Sequence, residues 1–532
     1  MKTYVNGKIY VDKDRFVEAF AVEGDRIVAI GSQEDIGALG GQDQVDLKGR
    51  TVLPGLIDAH LHLRTLGETR VQLRLYEAKS IQDVIHRGRA YLEDHPGIPL
   101  MVGRGWNQDY FVEGDRRFLN RHDLDQISTD IPIIAERVCV HVVSCNTKAL
   151  DLLGLDRDLT LEGGEIHRDP EGNPLGIFSE KATGLVWSLL PEDGKKDIQE
   201  KFMAGVHHAL ACGLTSVQSC DLYMMEDWAP TQEAIEELYL EGRSPLRYYP
   251  QVNMTSLEAF RDYVDRIYKR EGVYNLTYQR GGLKLFKDGS LGARTALLSR
   301  PYQDDPTTQG LEALSNAYVD AVCRLADNEG IQLVTHCIGD EAIRRVLDSY
   351  EKVNHKNPHR NGLVHMQITD RPLLERAAQL NINVIYQPIF LEYDITMLKD
   401  RVGEDLAASS YAHKTLGLDL GAHTAYSTDA PVEDLNPFPC IYSAVTRQRF
   451  NGQPKGGFYP QERVPLAHAI DCYSLEGAYM EGNEGIKGRI KPGYLADFII
   501  LDRDIFTLEE SEIKEVQVER TFIGGQEVYR RD

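Results

Sequence analysis

The sequence lacks the features that would place the chain in a membrane or on a nucleic acid. No apolar run is long enough to cross a bilayer, and Met1 leads directly into a strand-like pattern without an apolar signal segment. Positive charge is scarce, because 59 Lys and Arg stand against 82 Asp and Glu, for a net charge of -23. No basic stripe offsets this balance, so we expect neither a nucleic-acid nor a membrane partner.

Cysteine is sparse and unpatterned. The chain has 8 cysteines in 532 residues, no two of them form a C-x-x-C pair, and most lie within apolar segments. Such cysteines are typically buried and reduced, which predicts a cytoplasmic location. No tandem repeat or low-complexity tract is visible, and the length favours one barrel-sized domain with additions, or two to three domains.

The most informative segment that is present runs from Pro54 to His62. It is an apolar run that ends in two histidines at spacing two. Side chains alternate across a strand, so His60 and His62 point the same way and can offer two nitrogen ligands to one divalent cation such as zinc. Surface or core histidines explain a lone pair of this kind equally well, so a metal site needs further ligands from other strand ends.

Short apolar strands alternate with amphipathic helical patterns along most of the chain. Strict alternation favours parallel strands, and eight strands predict an α/β fold with a (β/α)8 TIM-like barrel, whose chemistry lies at the C-terminal strand ends. The predicted strands are 53–62, 214–218, 246–252, 282–286, 332–336, 362–365, 383–387 and 424–429.

The two chain ends predict short strands with turns, among them one strand at 44–52, and neither end is large enough for its own core. We expect residues 1–54 and 485–532 to form one composite β-sandwich, with the barrel in 55–484. Residues 64–212 exceed what one crossover helix requires, so they predict an inserted domain after barrel strand 1. Such an insertion emerges on the active-site face, where it would form a lid or pocket wall.

Further candidate ligands lie at the predicted strand ends. Lys284 lies inside an apolar strand, where an unpaired ammonium is costly to bury. Either it reaches water along a strand edge, or it carries carbon dioxide as a carbamate that bridges two metal ions. His336 and His365 close consecutive apolar strands; each alone would more often be a core residue, but together they predict metal ligands.

Two aspartates complete the candidate centre. Asp429 ends the eighth strand, where a carboxylate can bind metal and accept the proton of an attacking water, or instead cap the following helix. Asp288 is in phase with Lys284, so it either approaches the same site as a substrate-binding residue or caps the loop Asp288–Ser290.

Taken together, these motifs resemble the amidohydrolase superfamily, specifically amidohydrolase family 3, the YtcJ-like metal-dependent hydrolases with an inserted domain. The resemblance runs nearly end to end. The segments that carry it are 54–62, 105–109, 141, 146–150, 163–165, 284–292, 336–340, 365–367, 428–431, 444–447 and 493–497.

The resemblance implies a catalytic metal centre with one or two divalent ions, most simply zinc, although iron or manganese also fits the ligands. Metal-activated water would attack an amide-like carbonyl, with Asp429 passing its proton to the leaving nitrogen. The implied ligands are His60, His62 and Asp429 for one ion, His336 and His365 for a second, and Lys284, carboxylated by CO2, as the bridge.

The resemblance also suggests substrate-binding residues. Trp106 is a candidate apolar wall, and His141 is a candidate pocket residue with Asn146, although packing explains such residues in an inserted domain as well. Gln367 and Gln387 lie near strand ends, where they either bind substrate or orient the histidine ligands.

The sequence therefore predicts a metal-dependent hydrolase that cleaves a non-peptide C–N bond in an amide, an N-acyl or N-formyl compound, or a cyclic amide. The alternative is a zinc-dependent deaminase of a heterocyclic amine, but relatives of that type carry a glutamate at the position of Gly339. A non-catalytic relative is disfavoured because all six ligand positions are filled. The expected partner is a small-molecule substrate, and self-association into a homo-oligomer is left open.

Overall fold

The computed structural model describes the chain except for residues 14, 41, 42, 109, 110, 138–141, 156–158, 160–163, 181, 224, 226, 354 and 355. It divides into two compact units, one of Met1–Leu63 with Val206–Asp532 and one of Arg64–Gly205. None of the helices in the described residues combines the length and apolar character that a bilayer crossing requires.

The secondary structure is numbered in chain order. The strands are β1 (Lys2–Val5), β2 (Lys8–Asp12), β3 (Arg15–Val17), β4 (Ala19–Glu23), β5 (Arg26–Gly31), β6 (Asp43–Asp46), β7 (Thr51–Pro54), β8 (Leu56–Leu61), β9 (Leu73–Arg74), β10 (Met101–Trp106), β11 (Ile133–Arg137), β12 (Val142–Cys145), β13 (Gly164–Arg168), β14 (Pro174–Glu180), β15 (Leu214–Ser219), β16 (Arg247–Val252), β17 (Gly282–Phe286), β18 (Leu333–Cys337), β19 (Gly362–His365), β20 (Asn383–Tyr386), β21 (Thr424–Tyr426), β22 (Phe498–Leu501), β23 (Val518–Ile523) and β24 (Gln526–Arg530). The α-helices are α1 (Gln33–Gly37), α2 (Leu63–Arg70), α3 (Ile81–Asp94), α4 (Arg121–Asp125), α5 (Thr147–Leu153), α6 (Thr183–Trp187), α7 (Lys195–Ala211), α8 (Ala229–Leu240), α9 (Leu257–Tyr263), α10 (Asn316–Glu329), α11 (Asp340–Val353), α12 (Arg371–Gln379), α13 (Leu391–Asp394), α14 (Leu398–Ala407), α15 (Pro437–Thr446), α16 (Leu466–Cys472) and α17 (Leu475–Met480).

A parallel barrel forms the centre of the larger unit. Among the described residues, eight strands pair in the order β21-β20-β19-β18-β17-β16-β15-β8, and the sheet is nearly closed. Every residue of β8 is buried, as expected for a parallel strand that is covered on both faces. Small and branched side chains such as Ala59, Val334, Val364 and Ala425 pack together from different strands. The predicted TIM-like barrel is confirmed.

The composite β-sandwich is also confirmed. One sheet has the order β5-β4-β1-β6, and the other has the order β24-β23-β22-β7-β2-β3, which combines strands from both chain ends. Strand β7 pairs parallel with β2 and antiparallel with β22. In the core, the ring of Tyr4 stacks on Phe20 with 4.7 Å between centroids, and Phe498 stacks on Phe522 at 4.4 Å.

The segment predicted as one strand at 44–52 forms two strands instead, β6 and β7. Lys48 and Gly49 between them have φ values of 54° and 76°, which end the extended conformation. The Gly49 amide donates to the carbonyl of Asn6 at 2.7 Å, so this turn allows the chain to pass from one sheet of the sandwich to the other.

The inserted unit has a mixed sheet of its own, with the order β13-β14-β12-β11-β10-β9 among the described residues. Its core contains Trp106, whose side chain is fully buried and whose indole N–H donates to the Ala135 carbonyl at 3.0 Å. Asn146 begins α5 by accepting the amide hydrogen of Ala149 at 3.0 Å. Both residues therefore have packing or capping partners within this unit.

Candidate metal centre

The candidate centre begins at the C-terminal end of β8. Alternation along this strand places Asp58, His60 and His62 on the same side, and His60 is 1% exposed. The ring centroids of the two histidines are 5.3 Å apart. Two imidazoles from one buried strand end form a rigid pair of nitrogen donors.

Asp429 approaches this pair from the end of the last barrel strand. Its backbone adopts a left-handed conformation with a φ of 58°, which is uncommon for a residue other than glycine. The Asp429 amide donates to the His60 carbonyl at 3.0 Å, and the His62 amide donates to the Ala430 carbonyl at 2.8 Å. The site therefore lies on the seam where the first and last barrel strands meet.

Asp58 strengthens the same seam. Its Oδ2 accepts hydrogen bonds from the amide and hydroxyl of Thr428 at 3.0 and 2.7 Å, while Oδ1 accepts the His60 amide at 3.1 Å. Burial raises the pKa of Asp58 to about 7 despite these donors. Asp58 thus links β8 to the loop that carries Asp429 by hydrogen bonds.

Neighbouring acceptors fix the protonation of the histidine pair. Gln251 donates its Nε2 hydrogen to the Ala59 carbonyl at 3.1 Å, which turns its Oε1 toward His60 Nδ1 at 2.5 Å. The Cys220 carbonyl lies 3.0 Å from His62 Nδ1. In both rings Nδ1 must therefore carry the hydrogen, and each Nε2 keeps its lone pair for a metal.

The arrangement around Asp429 fits a cation. Its Oδ1 lies 3.4 Å from Nε2 of both His60 and His62, and the three ligand atoms lie within 4.8 Å of one another. Within the described residues this Oδ1 is buried and has no hydrogen-bond partner. A carboxylate oxygen facing two lone pairs is unfavourable unless a positive charge lies between them, so these three residues have the donor set and the need for a divalent metal.

Lys284 joins this group from β17. It is fully buried, and its Nζ lies 2.9 Å from His60 Nε2 and 4.8 Å from the centroid of the Phe286 ring. Burial lowers the pKa of Lys284 to about 8. The side chain therefore points into the centre rather than to solvent, and its amine is easier to deprotonate than an exposed lysine.

His365 and His336 lie on the other side of Asp429. His365 Nε2 is 3.9 Å from Asp429 Oδ2, and the rings of His336 and His365 are 4.5 Å apart. Gln387 Oε1 lies 2.7 Å from His365 Nδ1, which directs His365 Nε2 toward the centre. The Gly289 carbonyl lies 3.1 Å from His336 Nε2, so Nε2 carries the hydrogen of this ring. His336 Nδ1 therefore keeps its lone pair for a metal.

The protonation states follow from burial and from mutual contact. Burial lowers the pKa of His365 to about 4, and it holds the pKa values of His60 and His336 well below the ordinary value. Burial acts to raise the pKa of Asp429, but the facing imidazoles, led by His62, outweigh it and lower that pKa. At neutral pH the centre therefore combines neutral imidazoles with an ionised carboxylate, as metal ligation requires.

The predicted substrate-binding residues have different surroundings. Asp288 accepts the amide hydrogens of Leu297, Ile338 and Gly339 at 2.8 to 3.0 Å, and its Oδ1 lies 3.5 Å from His336 Nε2, so it links neighbouring loops beside a candidate ligand rather than capping its own loop. Gln387 contacts His365, which matches its ligand-orienting alternative.

The other three predicted substrate-binding residues, Gln367, Trp106 and His141, are not brought together at one site in the described residues. Gln367 lines a cavity at the same end of the barrel, together with Phe390 and Asp394. Trp106 belongs to the core of the inserted unit. His141 lies outside the described residues, so its role remains a prediction.

Sequence reasoning missed Gln251 and Asp58, although each left a signal. Asp58 is a carboxylate in phase with two histidines in an otherwise apolar strand. Gln251 is a polar residue in the buried strand β16, where an amide needs hydrogen-bond partners. Their partners come from other strands, so the sequence alone could not identify what they hold.

The barrel and its strand-end ligands define the class of metal-dependent barrel hydrolases, and comparisons with known proteins agree. The sequence model of the amidohydrolase family matches residues 43–529, and the chain belongs to that family. The chain is 32% identical to YtcJ of Bacillus subtilis (strain 168) over 518 residues, which covers 97% of this chain and 96% of that relative.

Two further relatives are similar over nearly their whole length. The chain is 26% identical over 537 residues to the N-substituted formamide deformylase of Arthrobacter pascens, covering 97% of this chain and 95% of the deformylase. The crystal structure of a metal-dependent hydrolase from Pyrococcus furiosus matches with a TM-score of 0.78 and 29% identity, covering 94% of this chain and 99% of that chain. These similarities support a metal-dependent hydrolase.

Proposed function

We propose that this protein hydrolyses the C–N bond of a small non-peptide amide, with N-acyl, N-formyl and cyclic amides as the substrate class. The observation that carries the proposal is the buried Asp429 Oδ1 without a hydrogen-bond partner, which faces two imidazole nitrogens at 3.4 Å. The similarity to a deformylase of N-substituted formamides supports the N-formyl members of this class.

The proposed cofactor is a divalent metal, most simply zinc. His60, His62 and Asp429 would hold it, and His336 and His365 would complete a second position. Bound there, the cation would supply a Lewis acid that lowers the pKa of water and polarises a carbonyl. Lys284 is proposed to add through its neutral amine to carbon dioxide, losing one proton and gaining the two anionic oxygens of a carbamate.

Side chains of the protein would transfer the protons and hold the histidine tautomers. The Asp429 carboxylate would accept a proton from the attacking water and return it to the amide nitrogen as the C–N bond breaks, giving a carboxylic acid and an amine. Gln251 and Gln387 would keep two imidazoles in the tautomer that leaves Nε2 unprotonated. The lowered pKa of Asp429 keeps it ionised before each turnover.

Deamination of a heterocycle is the weaker candidate. It would use a carboxylate proton donor at the position of Gly339, but a Cβ atom there would lie 1.9 Å from the Leu297 carbonyl oxygen. A side chain at this position would require the backbone to shift, which supports amide hydrolysis instead.

The test combines metal analysis with hydrolysis of a panel of N-formyl, N-acyl and cyclic amides. His62→Ala and Asp429→Ala should each lose most bound metal and reduce kcat/KM by at least about a thousandfold, since a ligand or the base is removed. His359→Ala removes a half-buried imidazole elsewhere and serves as the control. Unchanged metal content and turnover in both site variants would disprove the assignment, whereas ammonia release from heterocyclic amines alone would favour the deaminase.

A further inference from the structure

A cavity of about 200 Å³ adjoins the candidate metal centre. It is lined by loops that follow β17, β18, β19, β20 and β21, so it lies at the same barrel end as the metal ligands. Phe390 in its wall stacks on the His365 ring with 5.7 Å between centroids. The Val432 amide, also in the wall, donates to the Asp429 carbonyl at 2.9 Å. We call this cavity, lined by residues 290–292, 338, 367, 390, 393, 394, 432 and 433, the acidic pocket, and it lies next to two residues of the candidate centre.

The charged residues that line the acidic pocket are both carboxylates, Asp394 and Glu433, and the described lining contains no lysine, arginine or histidine. Asp394 Oδ2 accepts hydrogen bonds from Gln367 and Tyr411, which hold it in place. Burial raises the pKa of Asp394 to about 6 and that of Glu433 to about 8, and Asp394 and Glu392 push the pKa of Glu433 in the same direction. The pocket thus brings together two acidic groups whose joint ionisation is costly as long as no cation is bound beside them.

Glu433 has no counter-charge in the described part of the chain. Among the described residues its carboxylate accepts no hydrogen bond and forms no ion pair, and the charged groups that raise its pKa are all acidic, namely Asp394, Glu392, Asp434 and Asp429. A half-buried carboxylate among like charges is costly, and an incoming positive charge removes that cost.

Aromatic rings line the same cavity. Phe390 and Tyr393 line the cavity together with Asp394 and Glu433, and Tyr393 is 57% exposed. Carboxylates combined with aromatic faces favour an ammonium group, because the ring quadrupole and the carboxylate both attract a cation. A volume near 200 Å³ is below the usual range for drug-sized ligands, so the substituent that fits is a short chain rather than a second ring system.

We propose that the acidic pocket selects amides whose substituent carries a positively charged ammonium group, with Glu433 as the specificity-determining residue. This inference rests on the proposed amide hydrolysis and names its substrate class. Neutral amides would bind less well, and amides that carry a carboxylate would be the poorest substrates, since Asp394 and Glu433 would repel them. The net charge of -23 would also favour the approach of cationic substrates.

The test uses three formamides of matched length and the metal-loaded enzyme. They are the monoformyl derivative of 1,4-diaminobutane, its neutral isostere N-pentylformamide, and N-formyl-5-aminopentanoate. We expect kcat/KM for the ammonium compound to exceed that for the neutral one by about tenfold or more, mainly through KM, with the carboxylate compound last. If formamides are poor substrates, the same three substituents are compared on the acyl group that is hydrolysed best.

The variant Glu433→Gln keeps the shape of the side chain and should reduce the ammonium-to-neutral ratio to about threefold or less. Asp434→Asn is the matched control, because it removes the same charge from the neighbouring residue, which instead accepts the Asn436 amide at 2.9 Å. Equal kcat/KM for the charged and neutral compounds, or equal effects of the two variants, would overturn the pocket assignment and leave amide hydrolysis standing. Failure to hydrolyse any amide would instead refute the proposed function.

Discussion

At the residue scale, the candidate centre depends on uncharged groups that hold the histidines. His60, His62 and His365 each direct Nδ1 toward an oxygen acceptor, which is an amide or a backbone carbonyl. Because that oxygen can only accept, each ring keeps its hydrogen at Nδ1 and its lone pair at Nε2. The candidate ligands are thus oriented without a bound metal, so binding of the proposed metal would cost little free energy for reorienting them.

Replacement of Gln251 tests this preparation. Gln251→Leu removes the acceptor of His60 Nδ1, so we expect metal affinity to fall about 10- to 100-fold and kcat/KM at limiting metal to fall with it. The measurement is a competitive titration with a chromophoric chelator.

Gln332→Leu is the matched control for the loss of a buried amide. Gln332 contacts the carbonyls of Arg360 and Met480 and touches no metal ligand. It should lower stability without changing metal affinity. Equal metal affinity in the wild type and Gln251→Leu would show that the tautomer is set by something else.

Some of this centre could be predicted from the sequence. His60 and His62 are recognisable by their spacing at the end of an apolar run, and Lys284 is recognisable by its position inside an apolar strand. Gln251 and Asp58 were not predicted because their partners, His60 and Thr428, lie on other strands or loops. A sequence shows which residues are in phase along one strand, but not which strands bring them together.

At the element scale, the outer face of the barrel strands β20 and β21 contains a second group of buried polar atoms. His413 is 1% exposed, its ring lies 4.7 Å from Tyr386 and 5.9 Å from Tyr426, and neither of its ring nitrogens has a hydrogen-bond partner in the described residues. Burial, followed by the charge of Arg447, holds the pKa of His413 well below its ordinary value. In the folded protein His413 therefore stays neutral at pH values at which the same side chain takes up a proton in the unfolded chain.

The sign of the resulting pH dependence follows directly. In the unfolded chain His413 has a pKa of about 6.5, so below that pH it is protonated in the unfolded state but not in the folded state. His413 therefore makes the fold less stable as the pH falls. In His413→Phe, the free energy of unfolding relative to wild type should rise by up to about 1.4 kcal/mol per pH unit below pH 6.5. Urea unfolding of both proteins between pH 5 and 8 measures this difference, and a difference that does not change with pH would contradict it.

The elements themselves were the most predictable part of the molecule. Each predicted barrel strand has a counterpart in the structure, because apolar runs separated by amphipathic helices leave few alternatives. The prediction of one strand at 44–52 missed the turn at Lys48 and Gly49, which is held by a hydrogen bond to Asn6 in the bend between β1 and β2. Such turns are set by tertiary contacts that a local pattern does not contain.

At the scale of the whole molecule, metal should contribute to stability as well as to chemistry. A ligand that binds only the folded state stabilises it by about 2.7 kcal/mol at a free concentration a hundred times its Kd. We therefore expect the Tm of the wild type to rise with added zinc and to fall when a chelator removes it. His62→Ala should have a Tm that responds to neither treatment, and an equal zinc response in that variant would locate the stabilising ion elsewhere.

The seam between β8 and the loop after β21 has a consequence for biosynthesis. Asp58 and Thr428, which meet across this seam, are 370 positions apart in the chain. A ribosome releases the histidine pair early, but the carboxylate that completes their cation site emerges only after most of the polypeptide has been made. If the proposed metal binds here, its full donor set exists only after the cylinder has closed, and a prematurely terminated chain would carry two of the three candidate donors.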